Sequence, residues 1–434
     1  MLSHDKNKNG SGVIIDTKRG EDILDVVVGV DAGSTQTRVY IADKVDTAWF
    51  MRNSMSEDIL RHLREDFYVI PSTFATVSDE REIQPRSDNL EDNYDSHIIR
   101  VKTSAVKPIV GRERIVRGRK ILDAAGLVEM NLDSSTNKMD NSIFYLNVLD
   151  GIGYGLIQRY DGNIPRTVNV YLVLSVRPKE MSMPCQEKMN DNFIGEFIFQ
   201  WGGIDINLHI KKTLYTTEPE AQMSGTSAIS AVSAELGNDS ELAGLSQKLD
   251  QCELYMHIEG GGSSIGVEVM RDGKIMDACS STFSVGGNYL TRVLMGRLRE
   301  VKGRMISEDA ARSALITCLL RNGREREDVT EIVAAAKRQV ALDILERVRH
   351  NVIDLMSDCV LTDFELVTLG GRLFKEDEQG NSIGVAFAEL LAQASPYTEV
   401  VILKDNYIPQ GNMIIGINEF PEFAELGAVE GAEE

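Results

Sequence analysis

The chain has 434 residues and is strongly acidic, with 46 Lys and Arg against 67 Asp and Glu and a formal net charge of −21 at pH 7. Such a protein is repelled by the phosphates of nucleic acids and by anionic lipids, which argues against direct binding of DNA or membranes. No apolar run approaches the ~20 residues of a membrane-spanning helix, and five scattered cysteines without a CxxC pair predict a reducing cytoplasm and argue against a zinc or iron–sulfur site.

Residues 1–22 are polar and charged and predict a mobile tail. The stretch Val26–Ile41 follows it, with a β-branched strand, a tight polar turn and a second strand. Backbone N–H groups of such a turn form a concavity suited to phosphate oxygens. Arg38 supplies a positive charge there, and Asp31 is a carboxylate of the kind that holds hydrated Mg²⁺. Three hydroxyl side chains stand in or beside the turn: Ser34, Thr35 and Thr37. The alternative is an ordinary hairpin with a glycine turn.

The chain between this hairpin and residue 236 predicts alternating strands and helices. Residues 78–97 are charged and poor in apolar groups, which indicates an insertion or surface loop, whereas the run from Ser56 to Phe67 fits neither helix nor strand. The remaining expectations are a strand at 68–72, a strand end at 109–113, a basic helix at 114–120, a helix at 142–156 with three glycines for close packing, a strand at 168–176, a hairpin at 193–214 and a helix at about 221–236.

The stretch Leu254–Val269 repeats the design of the first hairpin. An apolar strand ends at the carboxylate Glu259, a Gly-Gly-Gly-Ser-Ser turn follows, and a second strand resumes. Two such turns in one chain can face each other and hold a phosphate chain from both sides. We therefore expect an internal repeat, with a cleft between two similar halves.

Two further glycine sites occur in the second half of the chain. Ser284–Leu290 opens a helix with Gly286, Gly287 and Asn288, and Leu366–Phe374 predicts a strand, the pair Gly370-Gly371 and a helix beginning near Arg372. Bare backbone and a helix N-terminus allow a ligand to lie close. The other expected elements are a long amphipathic helix at 331–356, a strand at 399–403 and an acidic tail at 422–434.

These glycine sites carry a resemblance to the actin-like ATPases. Asp31–Arg38 resembles their first phosphate motif, Glu259–Ser264 the second and Leu369–Arg372 the adenosine motif. Glu218–Ala221 and Gly411–Asn418 stand where the two connecting helices lie. The match covers most of residues 24–420 in order. Within the superfamily, the chain is most similar to the ParM-type plasmid-segregation actins, on three stretches: Ile70-Pro71-Ser72, Val110–Glu113 and Lys211–Glu220.

The resemblance implies an α/β, actin-like fold with two similar mixed-sheet domains, each ribonuclease-H-like, around a nucleotide cleft. The implied bounds are a mobile tail at 1–23, domain I at 24–217 with 405–421, domain II at 218–404 and an acidic tail at 422–434. It further implies a cytoplasmic, ATP-hydrolysing protein (with GTP possible) that forms dynamic filaments with itself and segregates plasmid DNA through a DNA-binding adaptor.

The resemblance also implies roles for individual residues. Glu220 would orient the attacking water, with Glu218 as an alternative, and Asp31 and Glu259 would hold Mg²⁺ through water. The catalytic residues are therefore Glu220 and Glu259. The implied cofactor-binding residues are Asp31, Gly33, Ser34, Thr35, Thr37, Arg38, Gly260, Gly261, Gly262, Ser263, Gly286, Gly287, Asn288, Gly370, Gly371 and Arg372.

The chain departs from the family at two places in the second phosphate motif. Glu259 stands where the family has Asp, and Gly266 replaces a later Asp. The extra methylene of Glu259 moves its carboxylate by about one bond length, which predicts slower hydrolysis or a wider cleft. The alternative for Glu259 is that it merely ends a strand.

Other classes of protein share parts of this pattern. A soluble phosphotransferase (a sugar or acetate kinase) needs an acceptor pocket that we do not identify, whereas an exopolyphosphatase-like phosphohydrolase has a similar Gly-Gly-Gly-Ser turn. Dehydratase activators need cysteine ligands, and a heat-shock chaperone needs a substrate domain after the ATPase unit. A scaffold that binds nucleotide without turnover is a further alternative. Concentration-dependent assembly separates the filament hypothesis from all of these.

Overall fold

The fold is seen in a computed structural model. It describes residues 23–33, 36–52, 56–65, 67–72, 74–76, 96–101, 112–116, 127–128, 137–201, 204–237, 240–322, 325–356, 359–375 and 382–424.

The first sheet is built around a buried valine strand. Its ten described strands are β1 Ile23–Ala32, β2 Gln36–Asp43, β3 Phe67–Pro71, β4 Phe74–Thr76, β5 Ser96–Val101, β6 Arg112–Val116, β7 Leu127–Val128, β8 Thr167–Val176, β9 Gly195–Trp201 and β10 Ile204–Thr217. They are ordered β3-β2-β1-β8-β10-β9-β5-β6-β4-β7. Strand β1 pairs antiparallel with β2 and parallel with β8, which pairs parallel with β10.

Helices cover both faces of this sheet, which explains why β1 is apolar at successive positions. Helices α1 Lys44–Arg52 and α2 Glu57–Glu65 follow β2. Helix α3 Ser142–Arg159 precedes β8, and α4 Met183–Phe193 follows it. Val26 and Val28 belong to the same apolar core as α3 and α4, whereas Val27 faces the opposite side and belongs to the core that includes α2. Fully burying such a side chain contributes roughly 1.5–3 kcal/mol. Helix α3 lies close to the sheet because Gly151 and Gly155 face Val39 and Ile41.

The second sheet repeats the order of the first around its own central strand. Its strands are β11 Leu254–Gly260, β12 Ile265–Arg271, β13 Lys274–Ile275, β14 Ser281–Phe283, β17 Leu366–Gly370 and β18 Glu399–Ile402, and β15 Leu319–Asn322 and β16 Glu325–Asp328 form a separate hairpin. Strand β11 pairs antiparallel with β12 and parallel with β17, which pairs parallel with β18. The series β2-β1-β8-β10 and β12-β11-β17-β18 are thus equivalent, as the repeated hairpin predicts.

The remaining helices are α5 Glu218–Glu235, α6 Ser240–Gln251, α7 Gly287–Lys302, α8 Glu308–Thr317, α9 Thr330–Asn351, α10 Ile383–Ala394, α11 Ile408–Glu419 and α12 Pro421–Ala424. Helices α7 to α10 pack on one face of the second sheet, and α6 packs on the other. Among the described residues, no helix is both long and apolar enough to span a bilayer.

Helices α5 and α11 cross between the two sheets, and glycines allow backbone to touch backbone there. A Cβ added at Gly411 would lie 1.8 Å from the carbonyl oxygen of Ala221, and one at Gly225 would lie 2.3 Å from that of Tyr407. On its other side, α11 packs against β1, where a Cβ on Gly29 would meet the carbonyl oxygen of Pro409 at 2.1 Å. At these glycine positions the crossing therefore has no room for a side chain.

Most predicted elements are present, with shifts of a few residues at their ends. Both glycine hairpins, the strands at 68–72, 168–176 and 399–403, the hairpin at 193–214 and the helices at 142–156, 221–236 and 331–356 are confirmed. The domain bounds stay a prediction. The mobile N-terminal tail and most of the insertion at 78–97 lie outside the described residues, as do 117–120 of the predicted basic helix.

Three local predictions are wrong. Residues 114–116 of the predicted basic helix belong to strand β6, which pairs with β5. The helix expected after Gly371 is a single 3₁₀ turn, Arg372–Phe374. Residues 422–424, predicted as the start of the acidic tail, lie in α12, where Lys212 bonds Glu422 at 2.6 Å.

Candidate functional site

The two hairpin turns meet at one small pocket between the sheets. The cavity measures about 80 Å³ and is lined by Asp31, Gly33, Gln36, Arg38, Glu218, Glu259, Gly260, Gly261, Gly262, Gly371, Arg372, Asn406 and Ile408. The turns close in the same way: Gly33 N–H donates to the Gln36 carbonyl at 3.0 Å, and Gly261 N–H donates to the Ser264 carbonyl at 2.9 Å. Each central strand thus delivers a carboxylate and a glycine turn to this pocket.

Asp31 is fixed at the end of β1 by two donors. Arg38, its partner across the β1–β2 pair, donates to Oδ2 at 2.9 Å, and the Asn406 amide donates to the same oxygen at 3.3 Å. Because Asn406 precedes α11, this contact ties the first hairpin to the segment that returns from the second sheet.

Glu259 is buried and lies against the Gly370-Gly371 pair. A Cβ added at Gly370 would be 2.2 Å from Oε2, and one at Gly371 would be 2.5 Å from Oε1. The two glycines therefore make the room that the longer side chain of Glu259 needs. Oε2 lies 3.3 Å from Nε2 of His257, whose Nδ1 lies 2.8 Å from the Thr368 hydroxyl.

The surroundings of Glu259 disfavour a negative charge on its carboxyl group. Burial raises the pKa of Glu259 well above its ordinary value, and Asp31 and Glu218 raise it further against the opposing effect of Arg38 and Lys375. Burial also lowers the pKa of His257 to about 3, so its imidazole is neutral at physiological pH. A bound cation would relieve the repulsion among the three carboxylates.

Glu218, and not Glu220, lines this pocket. Lys138 donates to Oε1 of Glu218 at 2.7 Å and is itself buried. Burial alone would raise the pKa of Glu218, but the Lys138 ammonium and the nearby Arg177 outweigh it, so the pKa is lowered. Glu218 is therefore an ionised carboxylate aimed at the junction of the two turns.

Glu220 caps the helix on which both residues stand. Its carboxylate accepts from Thr217 N–H at 3.2 Å, while its own N–H donates to the Thr217 hydroxyl at 3.0 Å. It lines a separate cavity of about 990 Å³ together with Glu268 and His257. The pattern Thr-x-x-Glu is a capping box and is visible in the sequence, so the cap could have been inferred there.

Glu268 predicts a measurable pH dependence of stability. Burial, together with Glu220 and Asp277, raises its pKa to about 7, against an opposing hydrogen bond from Thr217. The folded state therefore binds a proton more tightly than the unfolded state, so this stabilisation is complete below pH ~4.5 and is lost as the pH rises through ~7. Glu268→Gln is expected to remove roughly 2–3 kcal/mol of the decline in unfolding free energy between pH 5 and pH 8.

The measurement is urea unfolding of both proteins, without nucleotide, at each pH. The exposed Glu308 provides a control, because Glu308→Gln should leave the decline unchanged. Equal slopes for the parent and Glu268→Gln would contradict the prediction.

A larger pocket opens directly from the small one. It measures about 540 Å³, and the two share Gly261, Gly262 and Arg372. The N-terminus of α7 is hydrogen-bonded to the second turn. Gly287 N–H donates to the Gly261 carbonyl oxygen at 3.1 Å, and Asn288 N–H donates to the Gly262 carbonyl oxygen at 2.7 Å. The pocket walls combine glycine backbone, apolar side chains such as Leu315 and Ile383, and basic groups, a mixture suited to a nucleoside with phosphates.

Several residues of this second pocket were missed by sequence reasoning. Arg312, Lys337 and Lys375 line it, but α8, which carries Arg312, was not predicted. The sequence gives no sign that Lys337, inside the long helix α9, or Lys375, just after the Gly370-Gly371 segment, lies in a pocket. Arg312 donates to the Asn288 side chain at 3.4 Å.

The other predicted residues support the turns. Ser72 donates to the Gly33 carbonyl at 2.7 Å and lies 3.4 Å from the Thr37 hydroxyl, so Thr37 and Ser72 hold the first turn from behind. Arg177, which the sequence did not single out, donates to the Ser263 hydroxyl at 3.4 Å. A Cβ on Gly286 would meet Ser263 backbone at 2.6 Å. Ser34 and Thr35 lie outside the described residues.

Comparison with known proteins identifies the fold. No protein-family model and no curated protein sequence matches the chain. Among solved structures, the actin-like protein Alp7A superimposes with a TM-score of 0.61 at 11% identity, over 95% of this chain and 100% of that one. The archaeal actin homologue Ta0583 gives 0.57 at 14% identity, over 91% and 100%, and an apo ParM protein (psk41) gives 0.53 at 13%, over 91% and 97%. The chain therefore has the actin-like fold that its sequence predicts.

Proposed function

We propose that this protein binds Mg²⁺ and ATP in the cleft, hydrolyses the ATP and forms dynamic filaments of ParM type. The observation that carries the proposal is the meeting of two glycine turns and three carboxylates in one pocket that continues into a larger, nucleoside-sized one. Ta0583, which shares the fold, has been solved in a complex with ADP, with a TM-score of 0.53 at 12% identity.

The phosphates would lie between the Asp31–Arg38 and Glu259–Ser264 turns. Backbone N–H groups and Arg38 would bind them, and the base would lie beside Asn288 and Arg372. The described residues contain no cluster of three or more His, Cys, Asp or Glu side chains that could hold a metal ion directly. We propose that Asp31 and Glu259 would hold Mg²⁺ through water, together with phosphate oxygens, as that ion prefers. When bound, the ion would neutralise phosphate charge.

Glu218 takes the role that the sequence analysis gave to Glu220. Phosphoryl transfer depends mainly on positioning and charge neutralisation, and an ionised carboxylate beside the pocket can accept a hydrogen bond from a water molecule and orient it. Lys138 holds Glu218 in that orientation and keeps it ionised.

Hydrolysis would regulate a filament contact through the angle between the two halves. Such regulation requires that the nucleotide states contact the neighbouring subunit differently. A non-polymerisable quadruple mutant of pCBH ParM shares the fold, with a TM-score of 0.55 at 11% identity, and supports the proposal of a polymerising function. The net charge of −21 favours a basic, DNA-binding adaptor in the cytoplasm as the link to plasmid DNA.

Light scattering across a protein concentration series with Mg²⁺ and ATP tests this function. We expect a nucleotide-dependent rise above a critical concentration, followed by decay as ATP is consumed. A flat trace at every concentration, with phosphate still released, would overturn the filament proposal in favour of a soluble phosphotransferase or an exopolyphosphatase-like phosphohydrolase. Parallel traces with GTP determine the nucleotide preference.

A further inference from the structure

One more cavity adjoins the cleft, and its lining is richer in basic side chains. It measures about 630 Å³ and lies between α2 and β3 on the side of the first sheet and α6 and the β18–α11 segment on the side of the second. It adjoins the small pocket between the two hairpin turns and shares four lining residues with it, Gln36, Arg38, Arg372 and Asn406. We call it the basic pocket.

The charge of the basic pocket is opposite to that of the protein. Of the described residues that line it, five are basic (Arg38, Arg64, Arg372, Lys375 and Lys404) and one, Asp405, is acidic. Arg38 is engaged by Asp31 at 2.9 Å. Burial lowers the pKa of Arg372, and the nearby positive charge of Arg38 lowers it further. In a chain of net charge −21, such a concentration of cations favours an anionic ligand.

The rest of the wall is apolar and partly aromatic. Phe67, Leu245 and Tyr407 contribute to it, so the cavity offers surface for an apolar or planar group beside the cations. Arginines bind phosphate through paired N–H donors, and aromatic rings stack on planar groups. Three of its five cations (Arg38, Arg372 and Lys375) also line the pockets assigned above to ATP, so Arg64 and Lys404 are the basic side chains that distinguish it. We propose that the basic pocket binds a phosphate-bearing small molecule through Arg64 and Lys404, beside the ATP site.

A ligand in this pocket contacts both halves of the protein. Arg64 belongs to a helix on the first sheet, whereas Lys404 follows the last strand of the second. Binding therefore favours whichever arrangement of the halves brings these two side chains together, and it couples to the nucleotide through the shared Arg38 and Arg372.

Equilibrium dialysis with three probes tests the proposal: inorganic phosphate, tripolyphosphate and ADP, each with Mg²⁺ and without turnover. We expect two classes of sites for ADP in the parent protein. The double variant Arg64→Gln and Lys404→Gln should weaken the second class by about tenfold or more, because charged hydrogen bonds are lost, and should change the affinity of the first class by only a few-fold. The single variants provide the same test if the double variant does not fold.

A matched double variant, Lys188→Gln and Arg338→Gln, removes the same charge from exposed ion pairs and should keep both classes. Equal affinity of the second class for phosphate and ADP assigns the pocket to released phosphate, whereas tighter binding of ADP assigns it to a nucleotide. A single class with every probe, an unchanged second class in the Arg64 and Lys404 variants, or loss of both classes together would overturn the proposal. Assembly plays no part in this assay, so its result is independent of the filament test.

Discussion

Glu218→Gln is expected to slow nucleotide hydrolysis by about a hundredfold or more while nucleotide affinity changes only a few-fold. Glu218 is the ionised carboxylate that lines the small pocket between the two turns, and positioned groups of this kind typically contribute 10²–10⁴-fold. The amide keeps the shape of the side chain, and its oxygen still accepts from Lys138, so the buried ammonium keeps a partner. Single-turnover phosphate release, with nucleotide binding measured separately, distinguishes the two effects.

Glu220→Gln is the matched control, because it changes the same residue type two positions along the same helix. Glu220 caps α5 and faces another cavity, so the expected cost is about 1 kcal/mol of stability or less, with hydrolysis within a few-fold of the parent. A large loss of hydrolysis in Glu220→Gln with normal hydrolysis in Glu218→Gln would reverse the assignment.

Gly411→Ala is expected to lower the stability of the protein by about 3 kcal/mol or more. The new Cβ would lie 1.8 Å from the Ala221 carbonyl oxygen and 2.8 Å from the Gly225 nitrogen, both backbone atoms that no rotamer change can move. Helices α5 and α11 must then separate, which also displaces Glu218 and Asn406 at their N-terminal ends. Thermal unfolding, followed by circular dichroism, measures the loss.

Gly296→Ala tests whether the effect belongs to the crossing. Gly296 lies inside α7, and nothing stands within 4 Å of an added Cβ. Alanine there should stabilise the protein by up to about 1 kcal/mol, through helix propensity. If Gly411→Ala unfolds at the temperature of the parent, the tight crossing is not a feature of the protein in solution.

The parts of the fold that the sequence predicts are those with a strong local pattern. The valine run of β1 and the apolar run of β11 must be buried, which predicts two core strands. Each run ends at a carboxylate and a glycine turn, so the turns and the internal repeat can also be predicted from the sequence. Helix α2 was missed because three buried residues, Ile59, Leu60 and Leu63, give too short an apolar stripe. Strand β6 was mistaken in part for a basic helix, because pairing with β5 outweighs local preference.

The site could be predicted only as far as its backbone turns. Whether Glu218 or Glu220 points into the cleft depends on Lys138, which lies 80 residues away in the sequence. The basic groups of the 540 Å³ pocket come from two helices and from the segment after β17, and they come together only when these elements pack. From the sequence, the glycine pair at 370 and 371 predicts space for a ligand. The structure shows that the pair also leaves space for the side chain of Glu259.

The glycine crossing of α5 and α11 also determines how a rotation of the two halves would be distributed over the molecule. Backbone contact without interposed side chains makes this crossing a fulcrum, since the two helices can turn about it but cannot approach further. Atoms beside a fulcrum move little, and displacement grows with distance from it. A small rotation that begins at the start of α5, where Glu218 lies, is therefore expected to displace most the strands of the two sheets that lie farthest from the crossing.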